Sequence, residues 1–243
     1  MRSLPALTLT ALVVAVAVGC GGNDGKPGLP TGSEPVQLDP STFTTAIDNP
    51  YWPMTPGTTW VYRETDAEGG VREVRVTVTN RTREVLGIET RVVHDSVTED
   101  GAPVEDTDDW YAQDADGNLW YFGEDTKEYE NGEVPSTKGS WEAGVDGAQP
   151  GIALPGTPTV GLAYRQEFLA GEAEDSARVL SIDERVTVAA GSFAEVLMTR
   201  DVSGLDPAVD EHKFYARGVG PVLELGLSGG SDRAELLRVE RAR

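Results

Sequence analysis

Short segments in which apolar and polar residues alternate recur along the chain from about residue 51, and they constrain the fold more than any other feature. In residues 74–79, three valines alternate with an arginine and two threonines, which is the period of a half-buried strand. Residues 58–63 are β-branched and aromatic and follow the Pro56-Gly57 turn, and residues 88–97 continue the β pattern, with Gly87 as a break or bulge. Ten to twelve short strands and no long helical pattern predict an all-β fold, an antiparallel sandwich or an open or closed barrel.

Two other stretches predict structure of a different kind. Residues 40–47 are expected to form one short N-terminal helix, with Asp39 as its N-cap and Pro40 at its first position. Residues 131–159 are rich in Gly and Pro and have no periodicity, so we expect a long loop there. Loops of this length are often functional.

The first twenty residues resemble a bacterial lipoprotein signal. Arg2 supplies a positive charge, residues 7–18 are apolar except for two threonines, and small residues precede Cys20, the only cysteine. The apolar run is too short for a comfortable membrane span. The resemblance implies cleavage before Cys20 and a diacylglycerol group on its sulfur. An ordinary secretory signal and an uncleaved membrane anchor are the alternatives.

These features divide the chain into three parts. Residues 1–19 are predicted to be the signal peptide, residues 20–38 the lipidated cysteine with a flexible Gly/Pro tether, and residues 39–243 a single β domain. Two or more acyl chains anchor a protein stably. The expected location is therefore the extracytoplasmic face of the cell membrane, with the lipid as the contact to the bilayer.

Composition excludes several classes of function. The chain has 41 acidic and 20 basic residues and a formal net charge of −21, so it would repel the phosphate backbone of nucleic acids. One cysteine allows no intrachain disulfide, and two histidines cannot form a three-histidine metal site. The sequence also has no phosphate-binding loop, dinucleotide fingerprint or nucleophile elbow.

Residues 99–133 combine 13 acidic residues and six aromatic residues with a single base. Asp116-Gly117 predicts a two-residue hairpin turn. The cross-strand partners would then be Gln113 and Trp120, Tyr111 and Phe122, Asp109 and Glu124, and Asp108 and Asp125.

Like charges that face each other destabilise a sheet unless something offsets them. The four carboxylates of Asp108, Asp109, Glu124 and Asp125 are therefore a candidate metal site that could supply part of a Ca²⁺ shell. A solvated acidic rim and a carboxylate pair for acid–base chemistry are the alternatives.

Aromatic residues beside these acids predict a ligand site. Trp110 and Trp120 lie on the hairpin, and residues 139–148 bring Trp141, Glu142 and Asp146 in a glycine-rich segment that could fold over it. Carboxylates beside aromatic rings suit sugar or ammonium ligands. Packing of these aromatic residues in the core is the alternative.

Several longer motifs resemble an uncharacterised family of bacterial secreted proteins and lipoproteins. They are NPYWPMTPGTTWVY at 49–62, DWYAQD at 109–114, WYFGEDT at 120–126, GSWEAGVDG at 139–147 and YARGVG at 215–220. The resemblance covers about residues 45–225. It implies an exported, single-domain, all-β protein, and it implies no activity, cofactor or catalytic residue.

Three functions are compatible with the sequence. The first is a non-enzymatic, lipid-anchored module that binds an envelope ligand or protein partner through the face near residues 108–146, with Ca²⁺ as one candidate ligand. The second is an envelope hydrolase that uses a carboxylate pair. The third is a structural or assembly lipoprotein. The pair in the second reading would come from Asp108, Asp109, Glu124, Asp125, Glu142 and Asp146.

Overall fold

The structure is a computed structural model that describes residues 28–227 and 232–242. It contains fifteen strands, all antiparallel, in one sheet. The strands are β1 (Thr59–Thr65), β2 (Val71–Val85), β3 (Ile88–Glu99), β4 (Ala102–Gln113), β5 (Leu119–Glu130), β6 (Glu133–Ser136), β7 (Trp141–Glu142), β8 (Gln149–Leu154), β9 (Ala163–Arg165), β10 (Glu167–Phe168), β11 (Asp175–Val188), β12 (Gly191–Ser203), β13 (Asp210–Ala216), β14 (Gly220–Gly226) and β15 (Arg233–Glu240).

The sheet curls into a nearly closed antiparallel barrel, which confirms the predicted class. Its strand order is β10-β8-β5-β4-β3-β2-β1-β15-β14-β13-β12-β11-β9, with β6 and β7 also paired to β5. The two ends of this order are β10 and β9, and only Gln166 separates them in the chain. Residues 163–168 therefore pair first with β11 and then with β8, and we call this short segment the seam.

The predicted strands are present. The structure has more than the ten to twelve strands that were predicted, and three of the additional ones lie in residues 131–159, where a loop was expected. Residues 131–159 form β6, β7 and β8, which are two to six residues long. Strands this short carry too little alternation to be read from sequence. The largest buried side chains, which form the centre of the core, include Trp60, Phe122, Ile152, Leu197 and Leu236.

The predicted N-terminal helix is shorter than expected. A single 3₁₀ turn spans Pro40–Thr42, with the Asp39 side chain accepting a hydrogen bond from the Ser41 backbone N–H and Pro at the first position. Phe43 is already extended, and its ring packs edge-on against Trp120 and Phe122. The N-cap was therefore predicted correctly and the end of the helix was not. In the described part of the chain, no helix is long and apolar enough to cross a membrane.

The described part of the predicted tether, residues 28–38, contacts the barrel. The buried guanidinium of Arg165 donates hydrogen bonds to the carbonyl oxygens of Gly32, Glu34 and Pro150. The Arg165 backbone N–H also donates to the carbonyl of Pro30. Arg165 thus joins residues 28–38 to the seam. Cys20 and the predicted signal peptide lie outside the described residues.

The β4–β5 hairpin differs from its predicted register at the turn. Asp108 faces Asp125 and Asp109 faces Glu124, as predicted, but Tyr111 faces Tyr121 and Gln113 faces Leu119.

The cause is a longer turn over residues 114–118. In this turn the Asp114 carboxylate accepts hydrogen bonds from the backbone N–H groups of Asp116 and Asn118. A bulge absorbs the extra residue, so that Trp110 lies opposite both Phe122 and Gly123.

Candidate ligand site in the barrel interior

A cavity of about 430 Å³ lies inside the barrel next to the seam. Its volume falls in the range of small-molecule sites, roughly 300–1,000 Å³. Glu64 and Glu224 line it with 34% and 39% of their side chains exposed, which places the mouth beside them. The other ionisable side chains that line the cavity are the carboxyls of Asp95, Glu124, Glu167 and Asp175, the Lys213 ammonium and the hydroxyls of Tyr62, Tyr111, Tyr121 and Tyr215.

Strand alternation and the Gly123 bulge together direct two of the hairpin's carboxyls inwards. Asp109 is partly buried, and its Oδ1 accepts a hydrogen bond of 2.7 Å from the Tyr121 hydroxyl. Burial raises the pKa of Asp109 well above its ordinary value, and the nearby charge of Glu124 adds to the effect. Burial also raises the pKa of Glu124 to about 7, although hydrogen bonds with Tyr121 and Thr126 act in the other direction.

The seam contributes a second pair of carboxyls. Glu167 of β10 accepts a hydrogen bond of 2.8 Å from the Trp141 indole N–H and lies within hydrogen-bonding reach of Asp175, the first residue of β11. Burial, together with the charges of Asp175 and Glu124, raises the pKa of Glu167 to about 8. Glu167 therefore keeps its proton near neutral pH.

Asp95 of β3 completes this acidic side of the cavity. Its neighbour His94 points outwards, so Asp95 points into the barrel. Its Oδ1 is fully buried and has no hydrogen-bond donor, which is costly for a carboxylate oxygen. Burial raises the pKa of Asp95 to about 7, with the charges of Glu105 and Glu64 adding to it.

The opposite side of the cavity contains its only lining base among the described residues. Lys213 of β13 lies 3.5 Å from carboxylate oxygens of both Glu211 and Glu224 and 3.9 Å from Asp201. Burial alone would lower the pKa of Lys213, but these carboxylates outweigh it and hold the pKa well above its ordinary value. The ammonium is thus already shared among three acids.

Aromatic rings form the wall between the two sides. Tyr111 and Tyr121 stack with centroids 4.9 Å apart, and Trp52 packs against both Tyr111 and Tyr215 at 5.8 and 6.1 Å. The indole N–H of Trp52 is buried and has no acceptor. The cavity therefore presents ring surfaces, and two of the side chains that line it each carry one buried polar atom without a partner among the described residues.

The structure divides the four residues of the predicted calcium site between two faces of the hairpin. Asp109 and Glu124 face the interior, whereas Asp108 and Asp125 face outwards, because successive residues of a strand point to opposite sides. Asp108 accepts two hydrogen bonds from Arg81 and one from His94, and Asp125 pairs with Lys127 at 3.1 Å. Within the described ranges, no three His, Cys, Asp or Glu side chains are grouped to hold a metal ion.

The five residues predicted as ligand contacts are not brought together either. Trp110 is buried beneath the guanidinium of Arg83, which lies 3.9 Å from its ring, and Glu142 pairs with the same arginine at 2.5 Å. Trp120 is also buried and donates to Asp114, while Asp146 lies in an exposed turn.

Trp141 does reach the site, through its contacts with Glu167 and Tyr121. Of all the predicted site residues, Glu124 alone lines the cavity. Asp95, Glu167 and Asp175 were not predicted as site residues. Arg91, Arg165 and Arg178 lie within four residues of them, so no local signal distinguishes these acids from paired surface acids.

Comparisons with known proteins give a general likeness only. No protein-family model and no curated protein sequence matches the chain. Two solved structures are similar: a presumed lipoprotein from Parabacteroides distasonis ATCC 8503 and a presumed exported protein with a YmcC-like fold from Bacteroides fragilis NCTC 9343.

Each is 13% identical to this chain. The first has a TM-score of 0.41 and covers 78% of this chain and 98% of its own, and the second has a TM-score of 0.43 and covers 79% and 99%. At these values, neither protein informs the function or the location of this chain. The resemblance of the motifs to a secreted family stays a prediction.

Proposed function

We propose that this chain is a lipid-anchored binding protein of the extracytoplasmic face of the cell membrane, and that the inside of its barrel is the ligand site. The cavity carries this proposal. A protein interior is normally packed, and buried carboxyls normally have basic or hydrogen-bonding partners. Here a cavity of about 430 Å³ is kept open among Asp95, Glu124, Glu167 and Asp175, and among the described residues no base forms an ion pair with any of the four.

The location rests on the N-terminal sequence. The apolar run and Cys20 supply the expected anchor to the membrane, and the net charge of −21 disfavours nucleic acid as a partner. Replacing the lipidated residue, as in Cys20→Ala, should move the protein from the membrane pellet to the soluble fraction and abolish incorporation of radiolabelled fatty acid. Retention of Cys20→Ala in the pellet would show that another segment anchors the chain.

A cavity-filling substitution tests the binding site. Ala234 of β15 lines the cavity and is only half-buried, so Ala234→Phe should project a ring into it without disturbing the core. A screen of envelope sugars, amines and peptides by thermal shift should find ligands that stabilise the wild-type protein and not this variant. Val134→Phe adds the same ring at an exposed strand position and should leave the response intact. Equal responses in both variants would place the site elsewhere.

Hydrolysis by a carboxylate pair is a second candidate, and the Glu167–Asp175 contact favours it. Two carboxyls in contact can act as acid and base on a water molecule, as in the carboxyl dyad of aspartic proteases, and a pKa of about 8 keeps Glu167 protonated at neutral pH. The pair of a glycoside hydrolase would have to be about 5 Å or more apart. With a dyad of the first kind, the protein would cleave a quenched fluorescent peptide, and Glu167→Gln would abolish the cleavage. Binding without turnover would leave the first function as the better description.

A further inference from the structure

We infer that the barrel interior takes an organic ammonium ion, a ligand that combines N–H donors on a positive charge with an apolar or hydroxylated body. This inference rests on the proposed function, because it names the chemistry of the ligand for the same cavity. The unpaired Oδ1 of Asp95, the seam carboxyls and the tyrosine rings carry it together.

The charge balance of the cavity points to a cation. Six acidic side chains line it and one base does, and that base already serves Glu211, Glu224 and Asp201. The charges that act on Asp95 include Glu64 of β1, one of these six, and Glu105 of β4, a further acid. Arg72 of β2 is a base that acts on Glu64 and Glu105, and it pairs with Glu64 and Glu99. A positive ligand would supply the counter-charge that this side lacks.

Two buried polar atoms without partners indicate which hydrogen-bonding groups the ligand should carry besides its charge. The Asp95 Oδ1 lacks a donor, so the cation should carry an N–H group that can reach it. The Trp52 indole N–H lacks an acceptor, so an oxygen elsewhere on the ligand would satisfy it. The faces of Tyr111 and Tyr121 can hold an ammonium group or the apolar face of a ring beside them.

The carboxyls are too dispersed to favour a bare metal ion. Ca²⁺ needs six to eight oxygens at about 2.3–2.6 Å from one centre. No described group of three or more acidic, histidine or cysteine side chains meets such a requirement. An extended ligand with several N–H groups can instead reach Asp95, Glu124 and Glu167 one after another.

Two matched pairs of probes test the inference by isothermal titration calorimetry on the full-length chain in detergent at pH 8.5. 2-Aminoethanol is compared with ethane-1,2-diol, and 1,4-diaminobutane with butane-1,4-diol, so that each pair differs mainly in its ammonium groups. At least one cation should bind ten-fold or more tightly than its neutral partner. Because Asp95, Glu124 and Glu167 must lose protons to attract it, the same cation should bind at least ten-fold more weakly at pH 5.5.

Variants locate the binding. Asp95→Asn and Glu124→Gln should each weaken the cation at least ten-fold, and a far-ultraviolet spectrum identical to the wild type would show that they fold. Asp125→Asn is the matched control, since it removes an acid next to Glu124 on the outer face of the same strand. Equal loss in Asp125→Asn would assign the binding to general surface charge and overturn the inference.

The remaining outcomes separate this inference from the proposed function. Binding of a neutral probe but of neither cation, with loss in Ala234→Phe, would keep the cavity as the site and overturn the ammonium ligand. A response to Ca²⁺ alone would do the same in favour of a metal. Failure of all four probes would overturn the ammonium inference, and a broader screen in which Ala234→Phe changes nothing would overturn the proposed function as well.

Discussion

Two pairs of acids on one hairpin, next to each other in sequence, have opposite surroundings. Asp108 and Asp125 face outwards, where Arg81 and Lys127 neutralise them. Asp109 and Glu124 face the barrel interior, where Tyr121 is the hydrogen-bond partner of Asp109 and no base of the described ranges pairs with either. Burial alone would raise the pKa of Asp108, but the hydrogen bonds from Arg81 and His94 outweigh it and hold that pKa below its ordinary value. The position of bases, rather than the acidity of the segment, therefore decides which carboxyls can serve a ligand.

The inner carboxyls should have their largest effect on how the free energy of unfolding depends on pH. Because the pKa values of Asp95, Glu124 and Glu167 lie above those of the unfolded chain, the folded state binds more protons between about pH 4 and 8. The free energy of unfolding should therefore fall by at least about 3 kcal/mol between pH 5 and pH 8.5, the contribution of one such carboxyl. Urea denaturation at the two pH values measures this difference.

Two triple variants separate this effect from net charge. Asp95→Asn, Glu124→Gln and Glu167→Gln together should flatten the pH dependence. The matched outer triple, Asp125→Asn with Glu128→Gln and Glu130→Gln, removes the same charge from exposed positions and should leave most of it. A protein that is equally stable at pH 5 and 8.5 would contradict the raised pKa values.

Gly123→Ala should break the structural basis of the comparison. Gly123 has a φ of +133°, and a Cβ there would collide with the carbonyl oxygen of Trp141, which is backbone and cannot move aside. We expect a loss of about 3 kcal/mol in the free energy of unfolding. Gly132→Ala is the control, because Gly132 also has a positive φ but no atom within 4 Å of the added Cβ. It should cost about 1 kcal/mol, and equal losses would show that the bulge itself contributes nothing.

Neutralising one inner acid should stabilise the protein. Glu124→Gln removes a buried charge without a basic partner and keeps the shape of the side chain, so the free energy of unfolding should rise by about 2 kcal/mol at pH 8.5. At pH 5 the same substitution should have little effect, because Glu124 is then protonated. Asp125→Asn should stay within about 0.5 kcal/mol of the wild type at both pH values. A destabilised Glu124→Gln at pH 8.5 would indicate an unseen cationic partner.

Breaking the outer ion pair should have the smallest effect. Arg81 is more than half exposed and donates two hydrogen bonds to Asp108. Arg81→Ala should cost no more than about 1 kcal/mol, and less at high salt. Equilibrium unfolding in 0.05 M and 1 M NaCl measures both quantities. A loss well above that value would mean that the outer pair supports the fold as strongly as the inner residues do.

The sequence was sufficient for the parts of the fold that local pattern determines. Alternation identified β2, and β-branched and aromatic residues after a Pro-Gly turn identified β1. The N-cap at Asp39 and the facing pairs 108/125 and 109/124 were also predicted correctly. The sequence was insufficient for the turn at residues 114–118. The observed five-residue turn differs from the predicted two-residue turn in the hydrogen bonds that the Asp114 side chain accepts, and the sequence does not show that these bonds form. That single difference reversed the predicted faces of Trp120 and Phe122.

The rest of the site depends on contacts between distant segments. The seam strands are two and three residues long, so no period marks them, and their pairing with β8 and β11 is what brings Glu167 and Asp175 to the hairpin. Polar residues in strands are normally expected to face solvent. Asp95 faces the interior instead, and only the closure of the barrel reveals it.

Carbon-13 NMR of the side-chain carboxyl carbons can show whether the inner carboxyls, and not the outer ones, have raised pKa values and bind the ligand. Spectra would be recorded from pH 3 to 9, with and without the ammonium probe that binds best. We expect Asp95 and Glu124 to titrate near pH 7 and Asp108 to titrate below its ordinary range. The probe should shift the signals of Asp95 and Glu124 and leave that of Asp108 unchanged. Titration of the inner carboxyls at ordinary values, or an equal response of Asp108 to the probe, would contradict these expectations.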